Sequence, residues 1–475
     1  MEAHDKPQEM DSISRRRFLG EASCAAIGGS AVLGSILNLK LAGTLAAEEA
    51  AGDDGDDYRA LVCVFLQGGQ DSYNMLVPRG DTEYAEYAGI RRNLALGKES
   101  LLPIETATGD GRSYGLHPSL GGLKSMFDDD ELAFITNIGT LAEPTTKASY
   151  AEGLGSGLPA GLFSHADQER QWHTAMPDRS ALRGWVGRMQ DILFSLNGDN
   201  TFASSISLNG ISLMQAGGKV LPYSIGAGGS RSLDAWGRYT WRHGTAGVTN
   251  QLELEYTNLL QKTYLERKRR ALELDEIFSS ALETAATPPI SMGSGSAADQ
   301  LGMVYRTIAA RQELGVRRQT FFVLVGGWDH HSELLLNHER MLQNLGDVLS
   351  NFNTALKGLG VADSVTTFTA SDFGRSLTAN GLGSDHGWGG NQLAFGGAVK
   401  GGKLYGSYPE LYTDNPLDVG RGRLIPTTAV DEYLAELACW FGVSRSQLPL
   451  VLPNLERFYD LNSEASPLGF MDFTA

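Results

Sequence analysis

Cysteine is scarce, with three in 475 residues: Cys24, Cys63 and Cys439. Cys24 falls in an N-terminal leader-like segment, which leaves two. Two cysteines exclude a disulfide framework, although a single bond is open to them. Cys63 lies in an apolar strand-like run and Cys439 in an apolar helical one, so they read as two buried thiols. Positive charge is also short: 39 Lys and Arg stand against 56 Asp and Glu, a formal net charge of −17. A polyanion suits neither nucleic acid nor an anionic lipid surface as a partner. Beyond the N-terminus no stretch reaches the ~18 apolar residues of a spanning helix, and no fixed-period repeat is present.

What the N-terminus does have is an export pattern. Ser14-Arg15-Arg16-Arg17-Phe18-Leu19-Gly20 precedes a weakly apolar Gly/Ala-rich run over residues 22–46 that ends in small residues. A charged start, an apolar middle and a small-residue end form a signal peptide, and Arg-Arg-x-Phe-Leu is its twin-arginine variety. Gly28, Gly29, Gly34, Asn38 and Lys40 interrupt the run, which makes it a poor permanent anchor. The expected partner is the twin-arginine export machinery and the expected location periplasmic or secreted. Residues 1–46 read as the signal and 47–58 as a flexible acidic linker. Residues 59–475 read as one large α/β domain with a helical insertion at about 250–287. The leader carries equal numbers of acids and bases, so the rest keeps the charge of −17.

Residues 60–66 (ALVCVFL) are a short unbroken apolar run, and such runs suit strands buried on both faces of a parallel sheet. Similar runs recur at 132–136, 319–325 and, more weakly, 365–369. Helical stretches lie between them, around 120–127 and 337–356. Strands alternating with helices predict an α/β fold with a mostly parallel central sheet. Residues 250–287 have helical periodicity, many i,i+4 opposite charges and neither Gly nor Pro, which predicts a solvated helix or helix pair. The Gly/Ser-rich stretch 200–250 carries only short strand-like pieces.

The informative pattern lies just past the end of each strand. Gly68-Gly69-Gln70-Asp71-Ser72 comes after the first, Gly326-Gly327-Trp328-Asp329-His330-His331 after 319–325, and Ser371-Asp372-Phe373-Gly374-Arg375 after 365–369. A further Gly-rich loop holds Asp385-His386-Gly387-Trp388. In an open α/β sheet the ligand crevice lies beyond the carboxyl ends of the strands. Asp71, Asp329 and Asp372 are therefore expected at one end of the sheet, with His331 and His386 nearby. Carboxylates brought together drive one another's pKa up unless a cation intervenes. Mixed Asp/His ligation suits zinc, manganese or iron better than calcium. Taken singly, any of these Asp residues is an ordinary cap or turn residue; the set after separate strands points to the metal site.

Nine blocks together resemble the exported DUF1501 family. They are the Arg-Arg-x-Phe-Leu signal, LVCVFLQGGQDSYNMLVP, LHPSL, LFSHADQERQW, GWVGRMQ, FFVLVGGWDHH, TASDFGR, DHGWGG and RGRLIPTTAVDEYLAELACWFGV. That family is similar to a branch of the alkaline phosphatase and sulfatase superfamily, which hydrolyses phosphate or sulfate esters at two metals. The resemblance implies an alkaline-phosphatase-like fold and one or two divalent ions, zinc or manganese, held by Asp71, Asp329, His331, Asp372 and His386. Phe373 departs from it, standing where the superfamily has His, so one metal position loses a nitrogen. Arg375 is expected to offset this by steadying an anion.

The resemblance also implies a hydroxyl nucleophile at the start of the helix after the second strand, and Ser164 fits best, with Thr145 and Thr146 as competitors. A serine there is ordinarily a helix cap. The same place would bind an anionic ester through free backbone N–H groups. His165 and His173 read as orienting residues or as plain polar helix positions, and His117 as a turn histidine. Two readings result: an exported metal-dependent hydrolase of phosphate or sulfate esters, or a non-catalytic exported binding or assembly protein whose site has decayed at Phe373. For the second, Trp328 and Trp388 would suit stacking on carbohydrate.

Overall fold

The computed structural model describes residues 57–473, except 108, 154–156, 198–200 and 231–256. The signal segment, most of the acidic linker, the start of the 250–287 stretch and His243 therefore lie outside the described residues. The folded part starts slightly earlier than the sequence implies. Tyr58 is buried, and the Asp57 carboxylate pairs with Arg317 at 2.8 Å and Arg318 at 2.9 Å.

Fourteen strands are present among the described residues. β1 (Arg59–Gln67) is followed by β2 (Leu76–Pro78), β3 (Leu102–Ile104) and β4 (Tyr114–Leu116), which make a small antiparallel sheet of their own. Then come β5 (Leu132–Gly139), β6 (Ser205–Ser207), β7 (Tyr223–Ser224), β8 (Arg318–Gly326) and β9 (Val365–Ser371). β10 (Arg375–Ala379) and β11 (Ser384–His386) form a two-stranded ribbon. β12 (Gly390–Phe395), β13 (Lys403–Gly406) and β14 (Thr428–Ala429) complete the set. The main sheet has nine strands in the order β13-β5-β12-β9-β1-β8-β6-β7, with β14 also on β5. β12 runs antiparallel to both its neighbours, and the other pairings are parallel. The mostly parallel α/β sheet expected from the sequence is thus present.

The reason β1 is apolar without alternation is visible in its two faces. Ala60, Val62, Val64 and Leu66 point into one core, and Leu61, Cys63 and Phe65 into a second on the other side. A strand covered on both sides has no wet face on which to place polar residues. Helices Gly121–Asp128, Gly295–Ala309 and Leu334–Leu359 cover the first face through Leu123, Leu301, Leu345 and Phe352. Helices Trp185–Ile192 and Val430–Phe441 cover the second through Met189, Tyr433 and Leu437.

The Leu334–Leu359 helix ends where Gly360 takes a left-handed φ of 75° and returns its N–H to the Leu356 and Lys357 carbonyls, a glycine-dependent stop. The helix expected within 250–287 is Leu259–Thr284, started by the Asn258 side chain, which accepts from the N–H groups of Leu260 and Gln261. It buries only Phe278, Ala281 and Leu282, which fits its solvated, charge-paired sequence. Cys63 is buried and Cys439 half-buried, and both are free thiols. Among the described residues no helix is long and apolar enough to cross a membrane.

Candidate metal centre

β8, β1 and β9 lie side by side and parallel, so their carboxyl ends open at the same edge of the sheet. At that edge the chain crowds, and the Gly68-Gly69 pair makes the crowding feasible. Both have positive φ, 120° and 79°. A Cβ on Gly68 would overlap the backbone of Asp329, and one on Gly69 the ring of Phe373. Stripped of side chains, the turn lets the Gly68 N–H reach both oxygens of Asp372 at 3.2 Å.

Past β8 the chain runs Trp328-Asp329-His330-His331 with alternating burial. Trp328 and His330 turn into the core against His338, while Asp329 and His331 are exposed at the edge. Asp329 meets His386 from the β11 strand: its Oδ1 is 3.3 Å from His386 Nε2. The third member is His165, first residue of the His165–Thr174 helix. Its Nε2 lies 3.1 Å from His386 Nε2 and 3.4 Å from Asp329 Oδ2. His165, Asp329 and His386 form a group compact enough to share one metal ion. His331 adjoins it, with Nε2 3.0 Å from Asp329 Oδ1 and 3.1 Å from His386 Nε2.

The outer nitrogens of these rings settle what the inner ones offer. His386 Nδ1 is 2.7 Å from the Phe163 carbonyl oxygen, which can only accept, so Nδ1 carries a proton. His165 Nδ1 donates to Asp372 Oδ2 at 2.6 Å, and His331 Nδ1 lies 3.4 Å from Asp385 Oδ1. In the neutral rings of His165 and His386 both Nε2 atoms then present lone pairs to each other at 3.1 Å. A metal ion bound by both nitrogens would take up these lone pairs, as would a proton held by either ring. Burial lowers the pKa of His386, and its hydrogen bond to the Phe163 carbonyl opposes the fall. Nitrogen and carboxylate donors with carboxylate- and carbonyl-anchored imidazoles fit a zinc- or manganese-like ion. Burial raises the pKa of Asp372 against the pull of His165 and the Gly68 N–H. Burial also pushes Asp329 upward, but its hydrogen bond and ion pair with Arg375 hold it below the ordinary carboxylate value.

The residues expected to carry the site therefore divide. Asp329, His331 and His386 come together. Asp372, expected as a ligand, instead sits wholly buried behind His165 and orients that ring. Asp71 is also buried, and its carboxylate pairs with the fully buried guanidinium of Arg91, itself tied to the Ser376 and Leu377 carbonyls at 3.2 and 3.3 Å. Only its Oδ2 is matched in this way; Asp71 Oδ1 is buried without a hydrogen-bond partner.

Arg375, expected to steady a substrate anion, is buried. It donates to Asp329 Oδ1 (2.5 Å), to the Gly68 carbonyl (3.2 Å), and to the Ser384 hydroxyl (3.2 Å) and carbonyl. It aims Asp329 and faces no solvent. Trp328 and Trp388 are buried too, the latter donating to the Thr140 carbonyl at 2.7 Å, so neither presents a face for stacking on a sugar.

His165 is the residue that sequence reasoning undervalued, and the signal for it was its place at a helix start beside Ser164. It supplies an imidazole where Phe373 lacks one. The Phe373 ring packs 4.8 Å from both His165 and His386, acting as an apolar floor for the two rings. Ser164 occupies the N-cap position of the helix, yet its side chain makes no capping bond. Thr146, by contrast, is a true cap of helix Lys147–Ala151, in a reciprocal box with Ser149, and Thr145 bonds the Glu143 carbonyl. His117 Nδ1 accepts from the Ser119 N–H at 3.1 Å, and burial pushes its pKa down to about 4, in keeping with a neutral turn histidine.

The chain is similar to two solved structures in particular. One is lipoteichoic acid synthase LtaP from Listeria monocytogenes, at 9% identity and a TM-score of 0.25, covering 77% of this chain and 70% of that one. The other is Ps i-CgsB, at 11% identity and a TM-score of 0.31, covering 84% and 78%. Both likenesses are too slight to bear on the chemistry of this site. No curated protein sequence matches the chain. Residues 58–421 match the family described as "Protein of unknown function (DUF1501)". With most of the folded part inside that match, the chain belongs to the DUF1501 family.

Proposed function

We propose that the protein is an exported, metal-dependent hydrolase of phosphate or sulfate esters. The observation that carries this reading is the approach of His165 Nε2 and His386 Nε2 to 3.1 Å beside Asp329, with the outer nitrogens of both rings already donating. His165, Asp329 and His386 would hold a single ion, zinc or manganese, with His331 alongside. Bound there, such an ion supplies Lewis acidity and lowers the pKa of a nearby hydroxyl.

The chain's own residues do the rest. Ser164 is the nucleophile, adjoining His165 at the helix start and uncommitted to capping. The first N–H groups of the His165–Thr174 helix receive the anionic oxygens of the ester. Asp372, the Phe163 carbonyl and Asp385 keep the three rings in one tautomer and orientation. Arg375 fixes Asp329, and Arg91 neutralises Asp71.

The test is elemental analysis of the natively exported protein, followed by an assay on aryl phosphates, phosphodiesters and sulfates with Zn²⁺, Mn²⁺ or Mg²⁺ added. Protein without stoichiometric metal, before or after loading, would overturn the metal centre. Bound metal with no ester turned over would favour the second reading, an exported binding or assembly protein. Phe373, an apolar ring against two of the histidines, is the observation that keeps that reading in view.

A further inference from the structure

A cleft of about 370 Å³ runs along the His165–Thr174 helix, whose first residue belongs to the candidate centre, and is lined by Gln67, Ala166, Glu169, Asn209, Ser212 and Phe322 among others. Its size falls at the lower end of small-molecule sites. It is reached along one helix face: Glu169 and His173 succeed His165 at intervals of four, so the three stack on the same side of the His165–Thr174 helix. Gln67, the last residue of β1 and the neighbour of Gly68, donates its amide to Glu169 Oε2 at 2.9 Å. The carboxyl group is thus held in the cleft wall, about one helical turn beyond His165.

We propose that this cleft receives the alcohol portion of the ester and that Glu169 is the catalytic residue that protonates the departing oxygen. The inference rests on the hydrolase reading above. An aliphatic alkoxide is a poor leaving group and needs a proton as its bond to phosphorus or sulfur breaks. The cleft wall offers Glu169 as donor. The other titratable group that faces the cleft from the same helix face, His173, is buried against Phe65 and Phe322, and burial pushes its pKa down to about 4. It is therefore unprotonated near neutral pH. Burial first, then the charge of Asp372, raises the Glu169 carboxyl above its ordinary value, while the Gln67 amide opposes the rise.

The atoms balance in two steps. Ser164 Oγ bonds to phosphorus or sulfur and loses its proton to solvent. The ester oxygen leaves with its electron pair and takes the Glu169 proton, departing as a neutral alcohol. Water then bonds to phosphorus or sulfur and gives its proton to solvent, Ser164 leaves and regains a proton from solvent, and the Glu169 carboxylate is reprotonated from solvent. The lining is mixed: Gln67, Asn209 and Ser212 offer neutral polar groups, Phe322 and Leu324 apolar surface, and Arg170 a cation beside Glu169, which suits an alcohol portion with both polar and apolar parts.

The experiment compares wild type with Glu169→Gln on matched pairs, 2-phenylethyl and 4-nitrophenyl phosphate and the corresponding sulfates, with metal content and Tm measured alongside. The expected result is a loss of about 10²–10³-fold in kcat on the phenylethyl ester and less than about threefold on the nitrophenyl ester, whose leaving group needs no proton. Metal content and Tm should not move. Equal losses on both esters, or none, would overturn the proposal while leaving the hydrolase reading intact. So would a wild type confined to the nitrophenyl ester. A wild type inactive on all four would bring down both.

Discussion

Asp372 Oδ2 takes the Nδ1 proton of His165 at 2.6 Å while its two oxygens also receive the Gly68 N–H, so one buried carboxylate ties together the end of β1, the end of β9 and a helix start. Replacing it by Asn keeps the shape and removes the charge that favours this tautomer. Asp372→Asn is expected to weaken metal binding by about 10- to 100-fold without loss of fold. Competition against a chromogenic chelator measures it, and unchanged affinity would show that the carboxylate does not orient His165.

The two carboxylates at the ends of β1 and β8 should behave differently. Asp329→Ala is expected to empty the site and also to lower stability, because it removes the carboxylate paired with the buried guanidinium of Arg375. Asp71→Asn should leave metal content unchanged yet destabilise the fold by about 3–5 kcal/mol, since it strands the buried guanidinium of Arg91. Elemental analysis and denaturant titration of both variants decide the matter; loss of metal in Asp71→Asn would restore Asp71 as a ligand.

Ser164 and Thr146 both stand at helix starts. Ser164→Ala is expected to abolish ester turnover while Tm and metal content hold, because its hydroxyl caps nothing. Thr146→Ala should cost about 1 kcal/mol of stability and no activity, because its hydroxyl does cap. Turnover that survives Ser164→Ala would move the nucleophile elsewhere.

Asp431 is buried in the first turn of the Val430–Phe441 helix, and burial raises its pKa to about 7. The folded state therefore holds a proton that the unfolded state releases near about pH 4. Between about pH 4 and pH 7 the native form binds more protons, so this group lowers stability as pH rises. Asp431→Asn should gain on wild type by a few kcal/mol, on the order of 1.4 per pH unit, across that window and stay level above it. Parallel denaturant titrations from about pH 4 to pH 8 check this; a difference independent of pH would show that the carboxyl is not raised.

Replacing Arg15 and Arg16 together by Lys is expected to leave the precursor in the cytoplasm, because the Arg pair one residue before Phe18-Leu19 is the feature that marks the twin-arginine route. Fractionation of cells expressing both forms tests it. Undiminished mature protein outside the cytoplasm in the double variant would point to another route.

The central strands were legible because burial on both faces leaves an unbroken apolar run, as in residues 60–66, and the glycine pairs marked where those strands open onto a site. Asp329, His331 and His386 could be read from that placement alone. His165 could not, because its role depends on which way a helix start faces, and a polar helix beginning with Ser-His reads the same on any surface. Nor could the fates of Asp71 and Arg375. Arg91, twenty residues beyond Asp71, looks like an ordinary last-turn arginine until packing brings the two together. Local sequence gives the direction in which a strand end points, but not which buried charge meets it.

The turn before the His165–Thr174 helix carries one more consequence. Phe163 adopts a left-handed φ of 67°, its carbonyl grips the His386 ring, and two residues later the same turn delivers His165. One imidazole is thus carried by this short turn, and the other, on β11, is held by it. If that turn moves, it withdraws His165 and frees His386 Nδ1 in the same step, so release of an ion should proceed in one concerted opening, and the residence time of the ion should track the rate at which this turn breathes.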